Sequence, residues 1–365
     1  MSRRIAAIDR LRGLVIVLMA LDHCRDFFQP AGIGPENLDT TFGLFFFTRW
    51  VTHFCAPVFV LLAGAGARLY SDKVDDPGET ARWLLTRGLW LMFLEVTWIT
   101  GAWFFGWPAI HLGVVWGIGG AMLLLAGCVT LPGRVVGIVG ATLTVLLAAV
   151  AVPGDWALGF LFQPGYFPDV VFGRGISNVY VVIPWFAVMA MGWGLAPLLA
   201  DPERRGRLLG WGAAAFLGFV VLRALNGFGD PRPWAPHPRG AWVTMFDFLN
   251  ASKYPPSLDY LLMTLGPALA FLPTLSRWRG IVGTALQTFG QVPLFFYLLH
   301  LPGYHLAGVL HAQVRFEEST IPGSEPLSLG LIWGVWIVGL LALYPLCVWW
   351  RGVKRRRPYW WVAYL

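Results

Sequence analysis

Long apolar runs, separated by short basic or Gly- and Pro-containing stretches, recur along the whole chain. Ten have membrane length, at about 9–29, 43–69, 82–105, 111–130, 135–152, 178–199, 207–228, 257–275, 283–311 and 327–350. A helix needs about 20 mostly apolar residues to cross a hydrocarbon core of about 30 Å. Four longer connections, 30–42, 153–177, 230–256 and 312–326, separate some of the runs, and no internal repeat or low-complexity tract is seen. The expected fold is all-α: one polytopic transmembrane domain over residues 1–365 with about ten helices.

The polar positions set an orientation. With the amino terminus in the cytoplasm, ten spans return the carboxyl terminus there. The inside segments then carry 19 of the 27 Lys and Arg, among them Arg3, Arg4, Arg68, Arg134, Arg204, Arg277 and the run from Arg351 to Arg357. That asymmetry obeys the positive-inside rule. Composition agrees: 57% of residues are hydrophobic and 13% charged, against about 25% charged in a soluble domain. The net charge of +7 comes from helix ends on one side, so nucleic acid is not an expected partner. Cys24, Cys55, Cys128 and Cys347 have no metal or disulfide spacing, and no metal is expected. MSRR followed by an apolar run imitates a signal peptide, but no small-residue cleavage site follows, and the first helix is read as uncleaved.

Given that orientation, the ionisable residues inside the spans fall at one depth. His23, Arg25 and Asp26 on span 1, Arg49 and His53 on span 2, Glu95 on span 3, His111, Arg223, Asp259, and His300 with His305 on span 9 all lie in the outer half. A charge at the bilayer centre costs about 2.5–3.5 kcal/mol on the most lenient scale. Such groups must face one another or water, and a polar chamber in the outer half is expected. Taken singly, each is as well explained as a satisfied structural residue. In "LRGLVIVLMALDHCRDFF" (11–28), Arg12 and His23 are eleven residues apart, close to three turns and about 16 Å of rise, so they share a face. Asp26, at i+3, lies near that face. Asp22 is adjacent to His23 and points elsewhere, so Asp26 is the expected electrostatic partner.

Four stretches resemble the bacterial transmembrane acyltransferases related to the catalytic domain of heparan-α-glucosaminide N-acetyltransferase. They are "IDRLRGLVIVLMALDH" (8–23), "HFCAPVFVLLAGAGARL" (53–69), "SKYPPSLDYLLMTLGPAL" (252–269) and "FGQVPLFFYLLHLPGYHL" (289–306). The Arg12–His23 spacing is similar to that of membrane acyltransferases that decorate surface sugars. The resemblance implies an acyl-CoA-dependent O- or N-acyltransferase of the inner membrane. It would take acetyl from acetyl-CoA, or another acyl group from its acyl-CoA, at the cytoplasmic face and pass it to a sugar-like acceptor outside. In that scheme Arg12, with Arg82 or Arg87, contacts the donor phosphates. His23 is the general base with Asp26 as its partner, Arg49 offers an oxyanion donor, and His53, Glu95 and His300 line the chamber. The implied partners are acyl-CoA, the acceptor, the lipid bilayer and, in an oligomer, further copies of the chain. Loop 30–42 contains no His, so no mechanism that needs one there applies.

Other features have plainer readings beside the functional one. In "SKYPPSLDY" (252–260), Pro255-Pro256 stiffens the approach to span 8 and Ser257 is placed to cap it; the functional alternative puts Lys253 and Tyr254 at the acceptor entrance. Pro302 predicts a kink in span 9. "GAGAR" (64–68), "GIGG" (117–120) and "GRGIS" (173–177) have no nucleotide-binding context and read as close packing. The runner-up function is a proton-coupled transporter of a small polar solute, opposed by the lack of an inverted repeat; a third reading is an assembly partner without catalysis.

Overall fold

The computed structural model describes residues 5–29, 34–150, 156–171, 173–318, 328–356 and 362, with the backbone alone at 156–158 and 314–318. Arg3, Arg4, Arg357, the end of the span expected at 135–152 and parts of loops 30–42, 153–177 and 312–326 lie outside the described residues. In chain order the helices are α1 (Ala6–Phe28), α2 (Gly43–Trp50), α3 (Cys55–Val74), α4 (Pro77–Leu94), α5 (Thr100–Phe104), α6 (Val114–Ala126), α7 (Gly133–Ala149), α8 (Trp156–Phe162), α9 (Val182–Ala200), α10 (Arg207–Leu225), α11 (Ala241–Leu249), α12 (Leu258–Leu275), α13 (Gly280–Gln291), α14 (Pro293–Glu318) and α15 (Leu329–Arg356). A 3₁₀ turn (Val51–Phe54) joins α2 to α3, and a π turn (Glu95–Ile99) joins α4 to α5.

Among the described residues, five helices are long and apolar enough to cross a membrane: Gly43–Val74, Val182–Ala200, Arg207–Leu225, Leu258–Leu275 and Leu329–Arg356. A sixth span is α13 with α14, if that bent pair crosses as one. The chain is a multi-pass membrane protein. The other expected spans rest on weaker elements. α1 carries Asp9, Arg10, Arg12, Asp22, Arg25 and Asp26, and α6 and α7 have 13 and 17 residues.

The all-α expectation is corrected by a small sheet. Strands β1 (Ala109–Leu112), β2 (Gly165–Val171) and β3 (Arg174–Asn178) pair in the order β1-β3-β2, parallel between β1 and β3 and antiparallel between β2 and β3. "GRGIS" is therefore the β2–β3 hairpin, and Gly173 turns it at φ +71°, a conformation that costs glycine little. The loop expected at 230–256 also holds α11.

The chain forms two compact units. In the first (Met1–Cys55, Ala235–Asn250 and Leu275–Leu365), α1 packs on α13, α14 and α15. α1 and α13 meet backbone to backbone: a Cβ at Gly13 would lie 2.6 Å from the carbonyl carbon of Leu286, and one at Gly290 would lie 2.8 Å from that of Asp9. Such small-residue crossings are common between membrane helices. Trp336 Nε1 on α15 donates to Val17 O (2.9 Å) and Tyr304 Oη on α14 to Trp336 O (2.9 Å). α13 and α14 meet at 92°. The chain breaks here because Pro293 forces Val292 out of the helical region (φ −133°, ψ 48°), while α14 continues unbroken through Pro302.

In the second unit (Ala56–Trp234 and Ala251–Thr274), α4 meets α6 where a Cβ at Gly88 would lie 2.7 Å from Gly119 O. That bears out the packing reading of "GIGG". Ser257 Oγ accepts from Tyr260 N (3.0 Å) and caps α12 as expected.

Candidate functional site

The polar end of α1 has two faces, each engaged by a different element of the first unit. One meets α14. His23 Nδ1 lies 2.7 Å from His300 Nε2, with the rings 14° from parallel. His300 Nδ1 lies 3.0 Å from Phe296 O, one turn back along α14. A carbonyl oxygen only accepts, so His300 carries its proton on Nδ1 and offers the Nε2 lone pair. His23 must then donate from Nδ1, which leaves its own lone pair on Nε2. The relay fixes both tautomers. Both residues are buried, His300 at 1% exposure, and Tyr297 stands edge-on to both rings.

The other face meets α2 and the 3₁₀ turn. Asp22 is the centre of this cluster. Arg25 Nη2 reaches Asp22 Oδ1 at 2.6 Å, Arg49 Nη1 donates to both Asp22 oxygens at 3.0 and 2.8 Å, and Thr52 Oγ1 donates at 2.8 Å. Arg25 Nη2 also holds Asp26 at 2.6 Å. Arg49 Nε donates to Glu36 (3.1 Å), and His53 Nε2 lies 3.3 Å from the same oxygen. Burial opposes ionisation of Glu36, but the Arg49 charge and the hydrogen bond and charge of His53 together prevail, holding its carboxyl well below the usual range. Arg239 donates to Leu38 O (2.6 Å) and Thr41 O (2.9 Å), tying residues 38–41 to the segment before α11. α1 ends beside the cluster: Gln29 N donates to Arg25 O, Gln29 turns extended, and Pro30 follows in the sequence.

The structure thus joins His23 to His300, and Arg49 to His53 through Glu36. It places the Asp26 carboxylate on Arg25, while the nitrogen partner of His23 is on α14. Sequence reasoning passed over Asp22 and Arg25 as the centre of the cluster. The available signal was the spacing of Asp22, Arg25 and Asp26 at i, i+3 and i+4, which puts them on one helical face. Two Arg25 nitrogens, Nε and Nη1, are buried without a hydrogen-bond partner among the described residues.

At the other end of α1, Arg12 Nη1 donates to Gly290 O (3.2 Å) and lies 3.4 Å from Asp9, whose second oxygen accepts from Gln291 Nε2 (3.1 Å). The Arg12 side chain is 22% exposed. Arg82 and Arg87 stand on α4 in the second unit; Arg82 is exposed and Arg87 lies over the Trp83 ring. Glu95 also belongs to that unit. Its oxygens accept from Gly113 N (3.2 Å) and Trp116 N (3.0 Å), the backbone donors that open α6. A carboxylate there meets otherwise orphaned amides and the positive end of the helix.

The family model described as Heparan-alpha-glucosaminide N-acetyltransferase, catalytic, matches residues 4–224. The match covers α1 and the elements that carry Arg49, His53 and Glu95, and it ends before α14 and His300. No curated protein matches the chain.

Proposed function

The chain belongs to the heparan-alpha-glucosaminide N-acetyltransferase catalytic-domain family, and from that premise we propose that it transfers an acyl group, acetyl first among them, from acyl-CoA to a hydroxyl or amine of a sugar-like acceptor. The whole chain acts as one acyltransferase domain in a bacterial inner membrane, both termini cytoplasmic, with the donor taken inside and the acceptor outside. The observation that carries the reading is the His23–His300 relay, which presents a basic nitrogen at His23 Nε2.

Transfer is direct. The acceptor oxygen or neutral amine nitrogen attacks the thioester carbonyl while its proton passes to His23 Nε2. Collapse of the tetrahedral intermediate breaks the carbon–sulfur bond, and the departing CoA sulfur takes the proton back from His23. His300 holds the His23 tautomer and accepts from Nδ1 throughout, so the imidazolium forms with a partner already in place. A positioned base of this kind contributes about 10²–10⁴-fold. Arg12 meets the donor phosphates by exchanging Asp9 for phosphate oxygens. Arg49 is held by Asp22 and Glu36, so its part, with Asp26 and His53, is to hold the end of α1. Glu95 holds the start of α6.

The test is acetyl-CoA binding and turnover by the purified chain in detergent, wild type beside His23→Ala and Arg12→Ala, followed by an acceptor screen with labelled acetyl-CoA. Binding that weakens in Arg12→Ala, and turnover lost in His23→Ala with binding kept, is the expected result. A folded wild type that binds no acyl-CoA overturns the proposal and moves the work to solute uptake.

A further inference from the structure

Lys253 is a buried cation with no anion paired to it among the described residues. It lies in the turn before α12 and is 8% exposed. Its ammonium sits 5.0 Å from the centre of the Tyr254 ring and 5.9 Å from that of Tyr180. Those rings meet edge to face at 5.2 Å, and Tyr254 Oη donates to Tyr180 Oη at 3.4 Å. Tyr180 is itself buried and packs on Trp185.

No carboxylate among the described residues stands within ion-pair distance of the Lys253 ammonium. Asp230, which holds the neighbouring Ser252, is engaged by other donors. It accepts from Ser252 N (2.7 Å), Ser252 Oγ (2.8 Å), Ser257 Oγ (2.6 Å) and Arg232 N (2.9 Å), with Arg223 at 3.8 Å. That grip fixes Ser252, and so the backbone that aims Lys253. Two ring faces offset only part of the desolvation of an ammonium, and a cation held this way lacks an oxygen anion.

We propose that Lys253, walled by Tyr180 and Tyr254, is a binding site in the second unit for a small organic anion, with a carboxylate or phosphate oxygen taken by the Lys253 ammonium. The proposal goes beyond the transferase reading and does not depend on it. Tyrosine walls and one point charge suit a ring-bearing anion such as a uronic acid or a sugar phosphate.

The experiment is calorimetric titration of the full chain in a neutral detergent with glucuronate, glucose 1-phosphate, dihexanoyl phosphatidic acid and, as the neutral control, glucose. At least one anion is expected to saturate and glucose not to bind. Tighter binding of the lipid than of glucose 1-phosphate assigns the phosphate to a headgroup; the reverse assigns it to a soluble ligand. Loss of one charge-assisted contact corresponds to about tenfold or more in affinity, so Lys253→Met should weaken binding by that factor and Lys253→Arg should retain most of it. Where Lys253→Met does not fold, the wild type still decides: saturating anion should slow acetic anhydride labelling of Lys253, read by peptide mass spectrometry. No anion binding, equal affinity in a folded Lys253→Met, or labelling unchanged by saturating anion overturns the proposal.

Discussion

The position of His23 depends on how closely α1 can approach α13, and Gly13→Ala tests that approach. The added methyl would lie 2.6 Å from the Leu286 carbonyl carbon and 3.0 Å from its Cα, and nearer still to the carbonyl oxygen. Carbon contacts settle at about 3.5–4.0 Å, so the helices must part by about 1 Å. A gap of that size forfeits a quarter to a half of each affected contact, and it draws Gly290 O away from Arg12 (3.2 Å). Forced overpacking costs about 1–3 kcal/mol, and the weakened hydrogen bond adds about 1 kcal/mol. Gly303→Ala is the matched control. It lies in α14 of the same unit, its Cβ would meet nothing within 4 Å, and both changes share the helix-propensity gain of about 1 kcal/mol. The two variants should therefore differ by about 2–4 kcal/mol. At roughly 2–4 °C per kcal/mol for a unit of this size, Gly13→Ala should melt about 4–16 °C below Gly303→Ala in detergent. Equal melting temperatures would show that α1 and α13 do not cross at backbone contact, and would refute the dependence of His23 on that crossing.

The relay predicts that His300→Phe lowers kcat by about 10²-fold or more with little change in KM for acetyl-CoA, because His23 loses the acceptor that fixes its tautomer; wild-type kcat in that variant counts against the relay. Glu95→Ala should destabilise by about 2–4 kcal/mol, two amide bonds to a charged acceptor being lost, while activity per folded molecule stays near wild type. A far greater activity loss than stability loss would return Glu95 to the chemistry. Asp22→Asn leaves Arg25 and Arg49 without their shared counter-charge and should cost about 3–5 kcal/mol, whereas Asp39→Asn, at an exposed pair with His237, should cost under about 1 kcal/mol. Glu36 ionises below its ordinary 4.5 when folded, so its contribution is complete above that pH and is lost as pH falls toward the folded value. The melting-temperature gap between wild type and Glu36→Gln should hold down to about pH 4.5 and close below it; a gap that widens on acidification sinks the assignment.

Hydropathy alone located α1 to within three residues of its observed ends, and the run at 43–69 lies within one helical stretch, Gly43–Val74. Those segments are long, and helical spacing is their strongest signal. The strands "AIHL" and "RGISN" were not legible, because four or five residues at the margin of apolar runs carry no separate period. The break before Pro293 was not legible because Pro293 and Pro302 sit in one apolar run. What separates them is context: at Pro293 the preceding Val292 leaves the helix, while α14 runs on through Pro302. The site was half legible. His23, Arg49 and His53 stood out as polar residues in apolar surroundings, and His300 with them. Which of them touch could not be read from a single helix. Asp26 faces Arg25 because partners on α2 and α14 divide the end of α1 into two faces, and that division is a property of packing.

The charge cluster that ties α1 to residues 43–54 also bears on how the protein is made. When α1 leaves the ribosome, Asp22 and Asp26 outnumber Arg25, and the segment is a poor substrate for lipid by itself. Asp22 gains a cation from outside α1 only once Arg49 has been synthesised and its guanidinium can close on it. The smallest piece of nascent chain that the bilayer accepts without a large penalty is therefore a helical pair. A chain truncated between the two would present the insertion machinery with charge that nothing answers.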